Sequence, residues 1–305
     1  MGVELEKSLL ITFHYFDLFD YPLKEEEIFR YLFATHTFGH QEINGGLSVL
    51  EKRAKIERSG DFYFLFGRRE LLKKRREREQ FAVNKIKKAR VVSRVFSLLP
   101  GILMVAVCSN LGYLNADNES DIDFFIVTKR GRIWTARFWS VFLMKVFRQR
   151  PSPNGSRNKV CLSYFADEDS LGFEKTKIGD DDIHLVYLTA QHLLIYSEGG
   201  LWKKFIRENN WIKYYLPNFI YQQEAEKFMI GEGRGYLKRF FERIFFILPE
   251  SWYRKIQYKI MPKRLIAAAN KEDKKVIISD KILKLHLNDK REEIRNQVFN
   301  NKINA

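Results

Sequence analysis

The run Ser120-Asp121-Ile122-Asp123-Phe124-Phe125-Ile126-Val127 constrains this chain more than any other segment. Its apolar residues, from Ile122 to Val127, read as a buried strand. In a strand, side chains two apart share a face, so Asp121 and Asp123 present both carboxylates on one side while Ile122 and Phe124 turn toward the core. Two carboxylates placed this way suit Mg2+ (or Mn2+), a hard cation held by one or two carboxylates together with waters and substrate phosphates. An ion so held neutralises the charge that builds up in phosphoryl or nucleotidyl transfer.

Length and composition bound what surrounds this strand. At about 100–200 residues per domain, 305 residues predict two or three packed units. A hydrophobic share of 45% with 30% charged residues fits a globular chain rather than a disordered one. Cys108 and Cys161 lie far apart, each inside an apolar run, which gives no basis for a disulfide framework or a zinc cluster and points to a reducing, cytoplasmic setting. The segment Met1–Lys7 has no basic stretch leading to a small-residue cleavage site, so no secretion is expected. Val95 to Ala116 is uncharged and about as long as a bilayer span, but Pro100-Gly101 breaks it and Ser109, Asn110 and Asn115 make its second half polar. A helix end, a turn and a short buried strand are expected there, and no transmembrane segment. His14, His36, His40, His184, His192 and His286 show no metal-ligand spacing and read as structural or surface residues.

The net charge of +15 is unevenly spread. Arg68 to Arg94 carries twelve basic and three acidic residues, a net +9. Such a stripe suits a nucleic-acid backbone, and it suits a solvated linker helix equally well. Arg234 to Arg264 has nine basic and two acidic residues among aromatic ones; covering the core with snorkelling side chains is the preferred reading over a membrane surface or an RNA backbone.

Five segments follow from patterning. Residues 1–67 resemble a small winged helix: helices over Leu9–Phe19, Leu23–Phe33 and Glu42–Lys52, then two short strands around Ser59-Gly60-Asp61. The segment either docks on DNA or RNA or serves as a packing module; Gln41, Asn44 and Arg53 are its few base-reading candidates. Residues 68–97 form a basic connecting helix. Residues 98–180 form a small α/β core with strands Ile102–Cys108, Ile122–Val127 and Val160–Phe165, a helix over Ile133–Phe147 and a loop over 148–159. Residues 181–288 read as helical, with helices over Ile183–Tyr196, Trp202–Glu208, Gln222–Gly231, Tyr236–Leu248 and Trp252–Ile260, and with Asp180-Asp181-Asp182 capping the first. Residues 289–305 read as a polar, fraying tail. The expected class is a multi-domain α+β or α/β protein with a small mixed sheet at its centre.

The segment from Val105 through Cys108-Ser109-Asn110-Leu111-Gly112 to Asp121-Ile122-Asp123 resembles the signature of the DNA polymerase beta-like nucleotidyltransferase superfamily over roughly residues 90–170. That signature is a buried strand ending in Gly-Ser, a short helix, a polar turn, then Asp-hydrophobic-Asp on the next strand. The resemblance implies transfer of a nucleoside monophosphate from an NTP to an acceptor, with Asp121 and Asp123 as metal ligands and Ser109 and Asn110 near the triphosphate. Ser109-Asn110 replaces the family's Gly-Ser. The third carboxylate common in the family falls on a later strand, where this chain offers Ser163; Asp167, in phase with it, is the substitute ligand. Lys129, Arg130, Arg132 and Arg137 are cations within reach of the motif, of which Lys129 and Arg132 are the expected phosphate contacts. Trp134 reads as packing rather than base stacking. The departures leave a second reading, a nucleic-acid-binding or regulatory protein with a degenerate transferase core. A metal-dependent glycosyltransferase, which also uses Asp-x-Asp, fits less well, because a longer nucleotide-sugar domain usually precedes the motif.

Overall fold

The computed structural model describes residues 2–152, 155–221, 228–231, 235–269 and 274–300. The chain opens with α1 (Val3–Asp17), β1 (Leu23–Lys24), α2 (Glu25–Tyr31), α3 (His40–Lys52), β2 (Ile56–Ser59) and β3 (Phe62–Leu65). Acidic residues start both short helices: Glu27 accepts from the Lys24 amide at 2.8 Å, and Glu42 from the Gly39 amide at 2.8 Å. The second predicted helix is shortened because Leu23 and Lys24 pair with Tyr63 and Phe62 instead. β2 and β3 turn at Gly60, whose φ of +60° favours glycine. The three strands form a small antiparallel sheet in the order β1-β3-β2.

The long helix α4 (Leu71–Phe96) leads into the main sheet. Its positive charge is divided: Lys73, Lys74, Arg76, Lys87 and Arg94 are exposed, and Arg75, Arg78, Lys85, Lys88 and Arg90 are wholly or partly buried. Arg75 is buried, bonds Glu27 at 3.0 Å and stacks over Tyr21 with its guanidinium 3.8 Å from the ring centre. Arg78 reaches Asp20 and the Phe19 carbonyl, and Lys85 and Lys88 bond the Asn158 side chain and backbone respectively.

After α4 come β4 (Ile102–Val107), β5 (Ile122–Thr128), α5 (Ile133–Val146), β6 (Val160–Asp167), α6 (Ile183–Ala190), β7 (Leu193–Ser197), α7 (Leu201–Glu208), α8 (Gly235–Phe245), α9 (Glu250–Ile260), α10 (Lys263–Ala269), β8 (Ile277–Ile278), β9 (Ile282–Lys284) and α11 (Arg291–Asn300). Six strands form one mixed sheet in the order β7-β4-β5-β6-β9-β8. Only β5 and β6 run parallel, joined by the α5 crossover; the other neighbours are antiparallel. Both faces of the sheet are covered. Val105, Val107, Ile122, Phe124 and Ile126 pack in a cluster with α4, α5 and α9, whereas Met104, Ala106, Phe125 and Val127 pack on the opposite face with Phe173 and Phe205.

Several expectations are corrected here. The helix expected over Ile183–Tyr196 ends at Ala190, and Leu193–Ser197 is an edge strand beside β4; a short apolar run satisfies either periodicity, and the open edge of β4 decides. The region read as wholly helical thus supplies β7, β8 and β9. The fraying tail is instead α11 over Arg291–Asn300, which buries Ile294 and Val298 in one core cluster with Leu9, Phe16 and Leu47 of the N-terminal elements and Tyr187 of α6. The cover expected from the basic aromatic stretch is partial: Tyr253 is buried, but Tyr236, Phe240, Ile247 and Ile260 are exposed. Of the helix expected over Gln222–Gly231, residues 222–227 lie outside the described residues, and 229–231 are not helical. No helix among the described residues is long and apolar enough to cross a membrane.

Candidate metal centre

Asp121 stands immediately before β5, and Asp123 is its second residue. Their approach is anchored from both sides. Asp117 accepts from the Ser120 amide at 2.6 Å, closing a turn, and the Lys85 ammonium donates to the carbonyls of Ser120 (2.6 Å) and Asn118 (3.4 Å) and to Asn158 Oδ1 (2.8 Å). A lysine from the basic helix therefore acts as an internal clamp on the loop that delivers the acids.

β6 brings the next two side chains. Asp123 lies opposite Cys161, and Phe125 opposite Tyr164, so β6 carries one extra residue across this stretch. That bulge leaves Cys161 and Ser163 side by side, with Sγ and Oγ 3.2 Å apart. A fifth side chain arrives from the far end of the chain. Leu285 donates its amide to the Ser163 carbonyl at 2.8 Å, extending the β9 pairing by one residue, and His286 then places Nε2 2.8 Å from Ser163 Oγ and 3.8 Å from Asp123 Oδ1. Ligand atoms of Asp123, Cys161 and His286 all lie within 4.8 Å of one another.

β4 contributes the turn. Ser109 follows it with φ +56°, a left-handed conformation that a glycine takes freely and a serine takes at a cost. Three residues on, Gly112 passes so close to the chain after α6 that a Cβ there would sit 1.9 Å from the Gln191 carbonyl oxygen. Ser109 faces the same cavity as the two acids, a space of about 380 Å³ also lined by Thr176, His184, Lys284 and Arg291. Asn110 is directed elsewhere, its Oδ1 accepting from the Tyr113 hydroxyl at 3.0 Å.

The two carboxyls differ electrostatically. Burial first, and the neighbouring negative charge of Asp123 second, push Asp121 up to about 6. Burial works on Asp123 in the same sense, but the neighbouring His286, Cys161 and Ser109 side chains outweigh it and hold its carboxyl below the ordinary range. Burial pushes the Cys161 thiol well up, reinforced by both aspartates. Across the cavity Lys284 and Arg291 are both bonded to Asp289, at 2.7 and 2.9 Å, and Arg291 also bonds Asp182 at 2.9 Å. This wall is internally neutralised, and it fixes α11 beside the site.

The remaining expected site residues are not brought here. Parallel pairing puts Asp167 opposite Thr128, at the opposite end of β5 from Asp123, where it accepts from the Asp169 amide at 3.1 Å; it cannot share an ion with Asp121 and Asp123. Lys129 follows the same far end and bonds the Gly101 carbonyl through its amide, while Arg132 stacks on Phe246 at 4.0 Å. Trp134 is buried with its indole N–H on Asp280, a packing role as expected. His286, taken as structural or surface, and Cys161, for which neither a disulfide nor a zinc cluster was expected, line the same cavity as the two acids. Cys161 had a weak signal, alternating in phase with Ser163 on a strand; His286 had none, since sheet pairing alone brings it across 163 positions to Asp123. No family model, curated protein or solved structure matches the chain.

Proposed function

We propose that the chain is a divalent-metal-dependent nucleotidyltransferase, moving a nucleoside monophosphate from an NTP to an acceptor and releasing pyrophosphate. The observation that carries this reading is the pairing of Asp121 and Asp123 with a glycine-shaped turn at Ser109, both facing one cavity at the meeting of β4, β5 and β6. The donor set fits the expected Mg2+ or Mn2+ at its minimum, because two carboxylates with waters and substrate phosphates are a common set for that ion. Asp121 and Asp123 would hold it, and it would supply neutralisation of phosphate charge. Ser109 faces the cavity beside Asp123, and Lys85 keeps the 118–120 loop from drifting. Residues 1–67, with three helices and a small antiparallel sheet, form the winged-helix-like part of this reading.

Binding and turnover of each labelled NTP by the full-length protein with Mg2+ tests the proposal. Pyrophosphate release that disappears in Asp123→Ala is the expected result; no nucleotide binding, and no effect of that substitution, would sink it.

The second reading, a nucleic-acid-binding protein with a degenerate core, draws on one observation: no carboxylate stands on β6 beside Asp123, where Cys161 and Ser163 are found. Two of the candidate base readers are already engaged, Asn44 with Glu25 at 2.7 Å and Arg53 with Glu6 at 2.9 Å, which favours packing over groove reading. Affinity for duplex DNA and RNA across a salt series separates the two readings, because phosphate contacts give a steep salt dependence.

A further inference from the structure

We propose that Asp123, Cys161 and His286 form a three-ligand site for a zinc-class divalent ion, with the remaining coordination position open to the cavity. The argument starts from donor chemistry. A thiol, an imidazole and one carboxylate make a set that zinc and cobalt favour and that magnesium, which prefers oxygen alone, does not. Three such ligands with one open position describe catalytic rather than structural zinc sites.

Geometry supports the same assignment. Tetrahedral zinc with ligands at about 2.0–2.3 Å separates its donor atoms by about 3.3–3.8 Å. Asp123 Oδ1 and His286 Nε2 already stand 3.8 Å apart, and all three donor atoms lie within 4.8 Å, so small side-chain rotations close the set. Two of the three residues are strand-borne, Asp123 on β5 and Cys161 on β6, and His286 lies two residues past the end of β9. Asp123 and Cys161 face each other in β-sheet register, and Leu285, the neighbour of His286, is hydrogen-bonded to the Ser163 carbonyl. The Ser163 hydroxyl meets the His286 Nε2 that would ligate. Binding replaces that hydrogen bond with a metal–nitrogen bond and converts the Cys161 thiol into a metal thiolate, with one proton released to solvent.

Asp123 is common to this site and to the proposed transfer centre, so a zinc-class ion and Mg2+ compete for it. The inference does not rest on nucleotide turnover, and its test contains no nucleotide. Metal-free, full-length protein is titrated with Co2+ and followed by absorption. Expected are a thiolate-to-cobalt charge-transfer band in the near ultraviolet and visible bands of tetrahedral strength, saturating at one equivalent. One equivalent of Zn2+ should bleach them, and a roughly thousandfold excess of Mg2+ should not. Cys161→Ser should abolish the near-ultraviolet band and Cys108→Ser should leave it. His286→Asn should keep the band but weaken cobalt binding by about tenfold or more. A wild-type spectrum without the charge-transfer band, a band that survives Cys161→Ser, or displacement of cobalt by Mg2+ at that excess would each overturn the proposal.

Discussion

The two ends of β5 differ more than their sequences do. Each carries polar or charged residues next to a buried apolar run: Asp121 and Asp123 at the start, Lys129, Arg130 and Arg132 just past the end. At the start, three other segments converge on the acids, namely the turn at Ser109, the bulged stretch Cys161–Ser163 and His286. At the end, the cations are spent on local contacts, Arg132 on Phe246 and Arg130 on Asp169. Charge near a motif is therefore a poor guide to a site. A parallel neighbour decides which end of a strand is furnished, because β6 brings its own start, not its end, alongside the start of β5.

The sharpest way to break this contrast is to remove one acid and one cation. Asp123→Ala should lower any Mg2+-supported nucleotidyl transfer by on the order of a thousandfold, whereas Lys129→Ala and Arg132→Ala should stay within about threefold, read from initial rates of pyrophosphate release. Equal losses at both ends would erase the distinction.

A smaller effect is expected from the clamp. Lys85→Met strips the acceptors Ser120 O, Asn118 O and Asn158 Oδ1 of their shared donor, which should cost about 2–3 kcal/mol in urea unfolding. Arg76 and Lys87 are exposed on the same helix, and Ala at either should shift stability by no more than about 0.5 kcal/mol. This pair of measurements separates the inward half of the basic stripe from its solvated half.

Asp121 gives a pH signature. Its carboxyl is raised from 3.8 to about 6 in the folded protein, so the native state holds this proton more tightly than the unfolded chain does. Its contribution to stability is fully present below about pH 4 and is lost as pH rises to about 6. Asp121→Asn should flatten the stability profile in that window and, in metal-free protein at pH 7, should raise stability by about 1–2 kcal/mol. A profile unchanged by the substitution would show that Asp121 is solvated like an ordinary surface acid.

The smallest effect tests the turn. Ser109→Gly relieves a left-handed serine, worth about 1 kcal/mol, but gives up the hydroxyl that lines the cavity with Asp123. Ser109→Ala keeps the strain and loses the hydroxyl as well. Glycine should be the more stable of the two by about 1 kcal/mol in thermal or urea unfolding.

Much of the local structure was legible because period and punctuation are local signals. The strand that begins just after Asp121 and carries Asp123, the long helix α4, the Ser59-Gly60-Asp61 turn and the order of the first three helices all follow from residues close in sequence. The edge strand β7 was not legible, since Leu193–Tyr196 satisfies a helix or a strand equally and only the free edge of β4 selects one. The tail became α11 because Ile294 and Val298 find a core built by α1 and α6, and because buried Arg291 is held by Asp182 and Asp289.

The sequence by itself determined that two carboxylates would stand together at the start of a buried strand, because a two-residue repeat in an extended chain leaves no other arrangement. Which groups would join them was decided only in three dimensions. Cys161 arrives by parallel register and a bulge, His286 by the pairing of β9 with β6, and Asp167 is sent to the wrong end by the same register that places Cys161 correctly. Strand pairing couples residues at any separation along the chain, and no local pattern encodes it.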